Sequence, residues 1–283
     1  MVGRHRTKAE EWTRAHRLSV TSVLMAVFSI MVTISGVKIW NGQSTTNNFD
    51  VACLQFCGGQ TISSASPNPP LPPNKNVGCS ADGSDTKSSG WGPARNLLSR
   101  DQLSDFPSFN LDNFPEIIGD ERHPYSVRED TPPPNNWKFN IQAERGKTYV
   151  LRLYIHNSAG DHSPDLVAQG ARVSVSLPVC TGRRVATNGF IDSTNAIPSQ
   201  VYGGVSFISN QPFNLAYVKG SAMICTNHFV CNADGTGGAP ISEDFLTNKG
   251  ALVGYDALDG EIRGGYQYSV YFIYKVKAQF AGD

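Results

Sequence analysis

The chain has 283 residues, with 24 Lys and Arg against 24 Asp and Glu and a formal net charge of +0. That balance, with no basic stripe anywhere, excludes a nucleic-acid-binding surface. Six Cys, 27 Gly and 17 Pro point to a disulfide-bearing chain rich in turns and extended segments.

Residues 18–37 (LSVTSVLMAVFSIMVTISGV) carry no charge. A helix of that length reaches about 30 Å, the thickness of a bilayer's hydrocarbon core. Arg4, Arg6, Lys8, Arg14 and Arg17 precede it against Glu10 and Glu11, and only Lys38 follows before Asp50. Lys and Arg beside a span stay on the cytoplasmic side, and Trp40 stands where an interfacial aromatic belongs. The expected topology is a cytoplasmic tail over 1–17, a single-pass transmembrane signal-anchor over 18–40, and everything beyond outside the plasma membrane. Cleavage as a signal peptide is the alternative; the stretch is longer than a secretory h-region and lacks an A-x-A-like end. With five of the 24 basic and two of the 24 acidic residues in the tail, the exterior keeps 19 against 22 and is mildly acidic.

All six Cys (Cys53, Cys57, Cys79, Cys180, Cys225, Cys231) fall outside, where an even number reads as disulfides. Three of them lie close together near the amino terminus, so one of Cys53, Cys57 and Cys79 must pair with Cys180, Cys225 or Cys231. Residues 41–105 are rich in Gly, Ser, Asn and Pro. SASPNPPLPPNKN (64–76) predicts an extended, polyproline-like run, and 78–92 is turn-rich. Together they predict a Cys-containing flexible stalk.

From residue 106 the texture turns to strands. In TYVLRLYIHN (148–157), Leu151, Leu153 and Ile155 share one face and Arg152, Tyr154 and His156 the other. ARVSVSLP (171–178) alternates likewise through Val173, Val175 and Leu177. So does YQYSVYFIYKVKAQF (266–280) through Tyr266, Tyr268, Val270, Phe272, Tyr274 and Val276. Period two predicts strands with one buried and one wet face. Residues 201–209 and 213–225 predict further strands. Asn188-Gly189, Asp234-Gly235, Asp259-Gly260 and Gly264-Gly265 predict the turns between strands. Several strands without intervening helices predict a mainly β fold, an antiparallel β-sandwich over 106–283.

ERGKTYVLRLYIHNSAG followed by ARVSVSLP resembles the Ig-like conserved-repeat domain of bacterial surface proteins. There, a glycine turn leads into a strand ending in Asn, and a second strand ends in Leu-Pro. GYDALDGEIRGGYQYSVYFIYKVKA resembles that domain's closing half. IIGDERHPYSVRED and GALVGYDALDG resemble stretches of membrane-anchored surface proteins of high-GC Gram-positive bacteria. The resemblance spans roughly residues 107–280. It implies an Ig-like extracytoplasmic module of unknown role, with no catalytic residues to carry over.

The chemistry-bearing clusters each have an ordinary explanation. Asp120, Glu121, Arg122, Arg128, Glu129 and Asp130 form the densest charge cluster; surface ion pairs at a strand start, each contributing at most about 1 kcal/mol, explain it as well as a ligand site does. Asn232, Asp234 and Gly235, like Asp82 and Asp85, resemble fragments of a calcium loop but lack its spacing and terminal Glu. His156, Asp161, His162 and Asp165 offer metal ligands in no known spacing. Cys225, His228 and Cys231 offer three zinc-type ligands, where a disulfide fits an oxidising compartment better. Ser84 and Lys87 match S-x-x-K without its companion motifs. Tyr266, Tyr268, Tyr271 and Tyr274 put rings on both faces of the last strand.

These observations predict a non-enzymatic, membrane-anchored cell-surface protein with no cofactor beyond a weakly supported calcium ion. Its partners would be the membrane and cell-wall glycan or another surface protein. The contact candidates are Tyr271, Asp120, Glu121, Arg122 and Arg128. The alternatives are an envelope enzyme such as a glycan hydrolase, which needs paired carboxylates in a cleft, and a subunit of a membrane complex, packed through the small residues of the span.

Overall fold

The computed structural model describes residues 78–81, 90–99, 102–114, 118–131, 136–232 and 237–282. The tail, the span at 18–37, most of the expected stalk, Cys53, Cys57, and the Asp82, Asp85 and Asp234-Gly235 turns lie outside the described residues. Among the described residues no helix is long and apolar enough to cross a membrane.

The chain is mainly β. In order, the strands are β1 (Cys79–Ser80), β2 (Trp91–Gly92), β3 (Asn113–Phe114), β4 (Gly119–Asp120), β5 (Tyr125–Glu129), β6 (Asn140–Gln142) and β7 (Thr148–Ile155). They continue with β8 (Arg172–Ser176), β9 (Gly182–Asp192), β10 (Gln200–Tyr217), β11 (Met223–Cys225), β12 (Ala239–Pro240), β13 (Ala251–Leu252) and β14 (Val270–Phe280). Helical structure among the described residues is limited to three short 3-10 turns. Pairing among these strands is antiparallel except where β6 runs parallel to β10.

The 18-residue β10 joins the two halves of the sheet. Residues 200–208 pair with β9, which pairs with β8, which pairs with β13. After an irregularity between Ile208 and Phe213, residues 213–217 pair with β14. β14 pairs on its other side with β7, and β7 with β5. The halves close on each other around Tyr125, Leu151, Leu153, Phe207, Ile191, Phe272 and Tyr274, all fully buried. Tyr125 of β5 reaches across to hydrogen-bond the hydroxyls of Tyr274 and Thr187. Phe245, in the 3-10 turn Glu243–Leu246, packs at 5.0 Å on Phe272 and 5.4 Å on Tyr217.

The expected alternation holds for β8, where Val173 and Val175 are buried, and for the core face of β7, where Leu151, Leu153 and Ile155 are. Four expectations need correction. Residues 201–225 do not form two strands divided near 210; the first runs unbroken to Tyr217 and the second is only Met223–Cys225. The last strand begins at Val270, because Tyr266–Tyr268 is a 3-10 turn that follows Gly265 at φ 100. Asn188-Gly189 is no turn but the middle of β9: a Cβ on Gly189 would stand 2.9 Å from the Tyr125 ring, so the glycine answers a close approach. The folded part also starts before residue 106. β1 and β2 pair with β9 and β10, and Cys79 is bonded to Cys180, so Cys79–Ser80 and Trp91–Gly92 belong to the sheet and not to a free stalk.

Candidate functional site

The outer face of β7 was expected to be wet, and at its end it is not. Tyr154 is 3 % and His156 2 % exposed. A strap over residues 104–112 lies along this end. Ser104 N donates to Ser158 O (2.9 Å), Asn110 N to His156 O (2.9 Å) and Ser158 N to Ser108 O (2.8 Å). Asn110 turns the strap with a positive φ of 58, a conformation Asn tolerates better than other side chains. Its Nδ2 donates to Tyr154 O. Asn157 pins the next residue: Nδ2 donates to Leu166 O and Ile262 O, and Oδ1 accepts from Ser108 N and Ala159 N.

Past the strap the chain returns through β3 and β4, and Glu121 N donates to Asp112 O (3.0 Å). This brings three side chains together in the interior. His156 Nδ1 lies 2.9 Å from Glu121 Oε2 and 3.2 Å from Asp112 Oδ2. Glu121 is 0 % exposed, and its Oε1 has no hydrogen-bond partner. Burial alone would lower the imidazole pKa, but hydrogen bonds and charge from Asp112 and Glu121 outweigh it and hold the pKa above its ordinary value. Burial pushes the Glu121 carboxyl up, against the opposing pull of His156.

Beside this cluster opens a cleft of about 560 Å³. Glu121 reaches its wall, and Tyr154, Tyr266 and Tyr271 give it aromatic faces, with Ser269, Thr226 and Asn227 as polar edges. Tyr271 stands opposite Tyr154 in the β7–β14 ladder, the rings 5.0 Å apart, and Tyr154 Oη is 2.9 Å from Ser269 Oγ. The Tyr266 ring stacks on His156 at 4.2 Å and 20° while remaining 41 % exposed. Burial raises the phenol pKa values of Tyr154 and Tyr271, so both are neutral hydroxyls at physiological pH. The Cys225–Cys231 disulfide holds the far wall, with Cys225 opposite Tyr271 in the β11–β14 ladder.

Of the contact candidates read from sequence, Glu121 and Tyr271 meet in this cleft and the other three lie elsewhere. Asp120 and Arg122 form an ion pair at 2.7 Å, with the Arg122 guanidinium 4.8 Å from the centre of the Trp91 ring. That pair matches the surface reading of the charge cluster; Glu121, between them, turns the opposite way. Arg128 lies 5.2 Å from the Trp137 ring centre, on the ring that Arg152 also approaches at 4.2 Å. His156, Asp161, His162 and Asp165 do not assemble: His162 and Asp165 are exposed, and Asp161 accepts from Gln267 Nε2. Cys225 and Cys231 are joined to each other, so with exposed His228 they offer no zinc site. Cys79 pairs with Cys180, which satisfies the expectation that one of the three early cysteines reaches a late one.

Asp112, Ser269 and the joint role of Tyr154 and His156 had no spacing signal, since they come from separate segments. Asn157 had one: a polar residue closing an apolar strand before a small-residue loop. Compared with protein-family models, curated proteins and solved structures, the chain matches none.

Proposed function

We propose that this chain is a non-enzymatic, membrane-anchored cell-surface protein that binds envelope glycan in the cleft beside Glu121. The uncharged stretch at 18–37 and its basic flank support the anchor. The Cys79–Cys180 and Cys225–Cys231 bonds suit an oxidising compartment. Two sheet halves facing each other over one core, with strand patterns like those of Ig-like repeat domains, support reading the domain as an Ig-like sandwich.

The observation that carries the ligand class is the set of three tyrosines around a carboxylate. Apolar ring faces with a few convergent polar groups are what a small polar-apolar ligand requires. A sugar ring presents C–H faces to aromatic rings and hydroxyls to Ser269 and Asn227. A glycan hydrolase stands second. Its second carboxylate would have to be Asp112, which shares one imidazole nitrogen with Glu121 and leaves no gap for a glycosidic bond between the two.

The test is co-sedimentation of the detergent-solubilised full chain with purified cell-wall sacculi. Saturable binding that weakens at least tenfold in Tyr266→Ala and Tyr271→Ala is expected. Binding equal in wild type and both variants, or none at all, overturns the glycan reading and leaves a surface-protein partner.

A further inference from the structure

The Asp112–Glu121–His156 cluster sets two carboxylates against one imidazole nitrogen in the interior. Two carboxylates and one imidazole are buried together, at 7 %, 0 % and 2 % exposure, and they are the group of possible metal ligands found among the described residues. Among the described residues no Lys or Arg forms an ion pair with either carboxylate. An ion pair needs near-complete compensation to be stable away from water, and a buried net charge is costly. Glu121 adds a second, independent sign: Oε1, on a fully buried side chain, has no hydrogen-bond partner.

We infer that Asp112, Glu121 and His156 form a binding site for one divalent transition-metal ion. With a neutral imidazole and two carboxylates, a divalent cation brings the cluster to zero net charge. The distances fit. Donors bound at about 2.0–2.2 Å stand about 3.0–3.4 Å apart in octahedral or tetrahedral coordination. Here Nδ1 is 2.9 Å from Glu121 Oε2 and 3.2 Å from Asp112 Oδ2, and all three donor atoms lie within 4.8 Å of one another. Oε1 of Glu121 is available for bidentate contact. One imidazole among oxygens disfavours calcium, which takes oxygen ligands alone, and suits Zn²⁺, Mn²⁺ or Fe²⁺. Three protein ligands leave coordination positions open, in a cluster that borders the cleft through Glu121. The site also ties together the strap, the turn after β4 and the end of β7.

This inference does not depend on the glycan reading, and its test has a separate readout. The full chain is purified with a chelator, equilibrated with Zn²⁺, and freed of loose ions by gel filtration. One Zn²⁺ retained per folded chain is expected, with retention falling at least tenfold in Glu121→Gln and Asp112→Asn. X-ray absorption of the zinc-loaded wild-type protein is expected to show a single imidazole among oxygen ligands and no sulfur. That measurement stands even where a substitution prevents folding. No retained ion on folded wild-type chain, retention unchanged in both variants, or a shell containing sulfur or two imidazoles overturns the site. Sacculi binding with zinc retention lost leaves only the cleft, and zinc retention without sacculi binding leaves only the metal site.

Discussion

Gly189 and Gly203 stand directly opposite each other in the ladder between β9 and β10. The missing side chains make room for Tyr125: an added Cβ at 189 would lie 2.9 Å from the ring and 3.2 Å from Leu153 Cδ1, and one at 203 would lie 2.9 Å from Tyr125 Cβ and backbone nitrogen. This gap lets β5 pack close to the opposite half of the sheet. Gly189→Ala should destabilise the fold by about 1–3 kcal/mol through overpacking. Gly203→Ala should cost more, because it meets backbone and not a ring that can tilt. Chemical denaturation of each variant measures both, and equal stability to wild type would show that the ring has room to move.

Asn157 satisfies four groups at once while fully buried. Asn157→Ala strands the Leu166 carbonyl and two amides, while Ile262 O keeps its bond from Ala168 N, and a cost of about 3 kcal/mol is expected from the lost partners. The strap over 104–112 should loosen first. Hydrogen exchange at Ser108 and Ala159, whose amides both bond Oδ1, reads this directly.

The two disulfides should differ in weight. Cys79 and Cys180 are 101 residues apart, and Cys225 and Cys231 six. On chain entropy alone the first contributes about 4–5 kcal/mol and the second about 2 kcal/mol. Paired Cys→Ser substitution, followed by denaturation under non-reducing conditions, should rank them in that order.

Burial holds the pKa of His123 below its ordinary 6.5, outweighing the hydrogen bond to Gly204 O and the charge of Asp120. Its ring stacks on Phe139 at 3.7 Å, and Nε2 donates to Gly204 O at 2.9 Å. A depressed histidine pKa means that folding favours the neutral ring. Its contribution is complete above about pH 6.5 and is lost as pH falls through the folded-state value. Between pH 7 and 5, stability should therefore fall less steeply in His123→Gln than in wild type. A steeper fall in the variant would give the shift the opposite sign.

Much of the fold was legible because half-buried strands write their burial as period two: Leu151, Leu153 and Ile155 on β7, Val173 and Val175 on β8, Phe272, Tyr274 and Val276 on β14. The pattern misled where a second layer covers the outer face. Tyr154 and His156 occupy positions that should be wet, and the strap over 104–112 together with Glu121, Tyr266 and Tyr271 covers them. Asn188-Gly189 carries turn chemistry, yet its glycine serves a ring from β5. The site was half legible. Glu121 and Tyr271 stood out by charge and aromaticity, but Asp112, Glu121 and His156 meet through tertiary structure, which no local spacing encodes. Asp120, Arg122 and Arg128 drew attention as charges in the same run and lie outside the cleft because neighbouring residues on an extended chain point in opposite directions.

The Cys79–Cys180 bond also decides how tension would travel. A pull applied between Cys79 and the end of β14 crosses the sulfur bridge to Cys180, so the covalent path bypasses the residues between the two cysteines. Asp112, Glu121, Tyr154 and His156 all lie in that bypassed stretch. A protein tethered at its amino terminus and strained at its carboxyl terminus would bear the load along β9, β10 and β14, leaving the residues that form the cleft floor outside the covalent line of force.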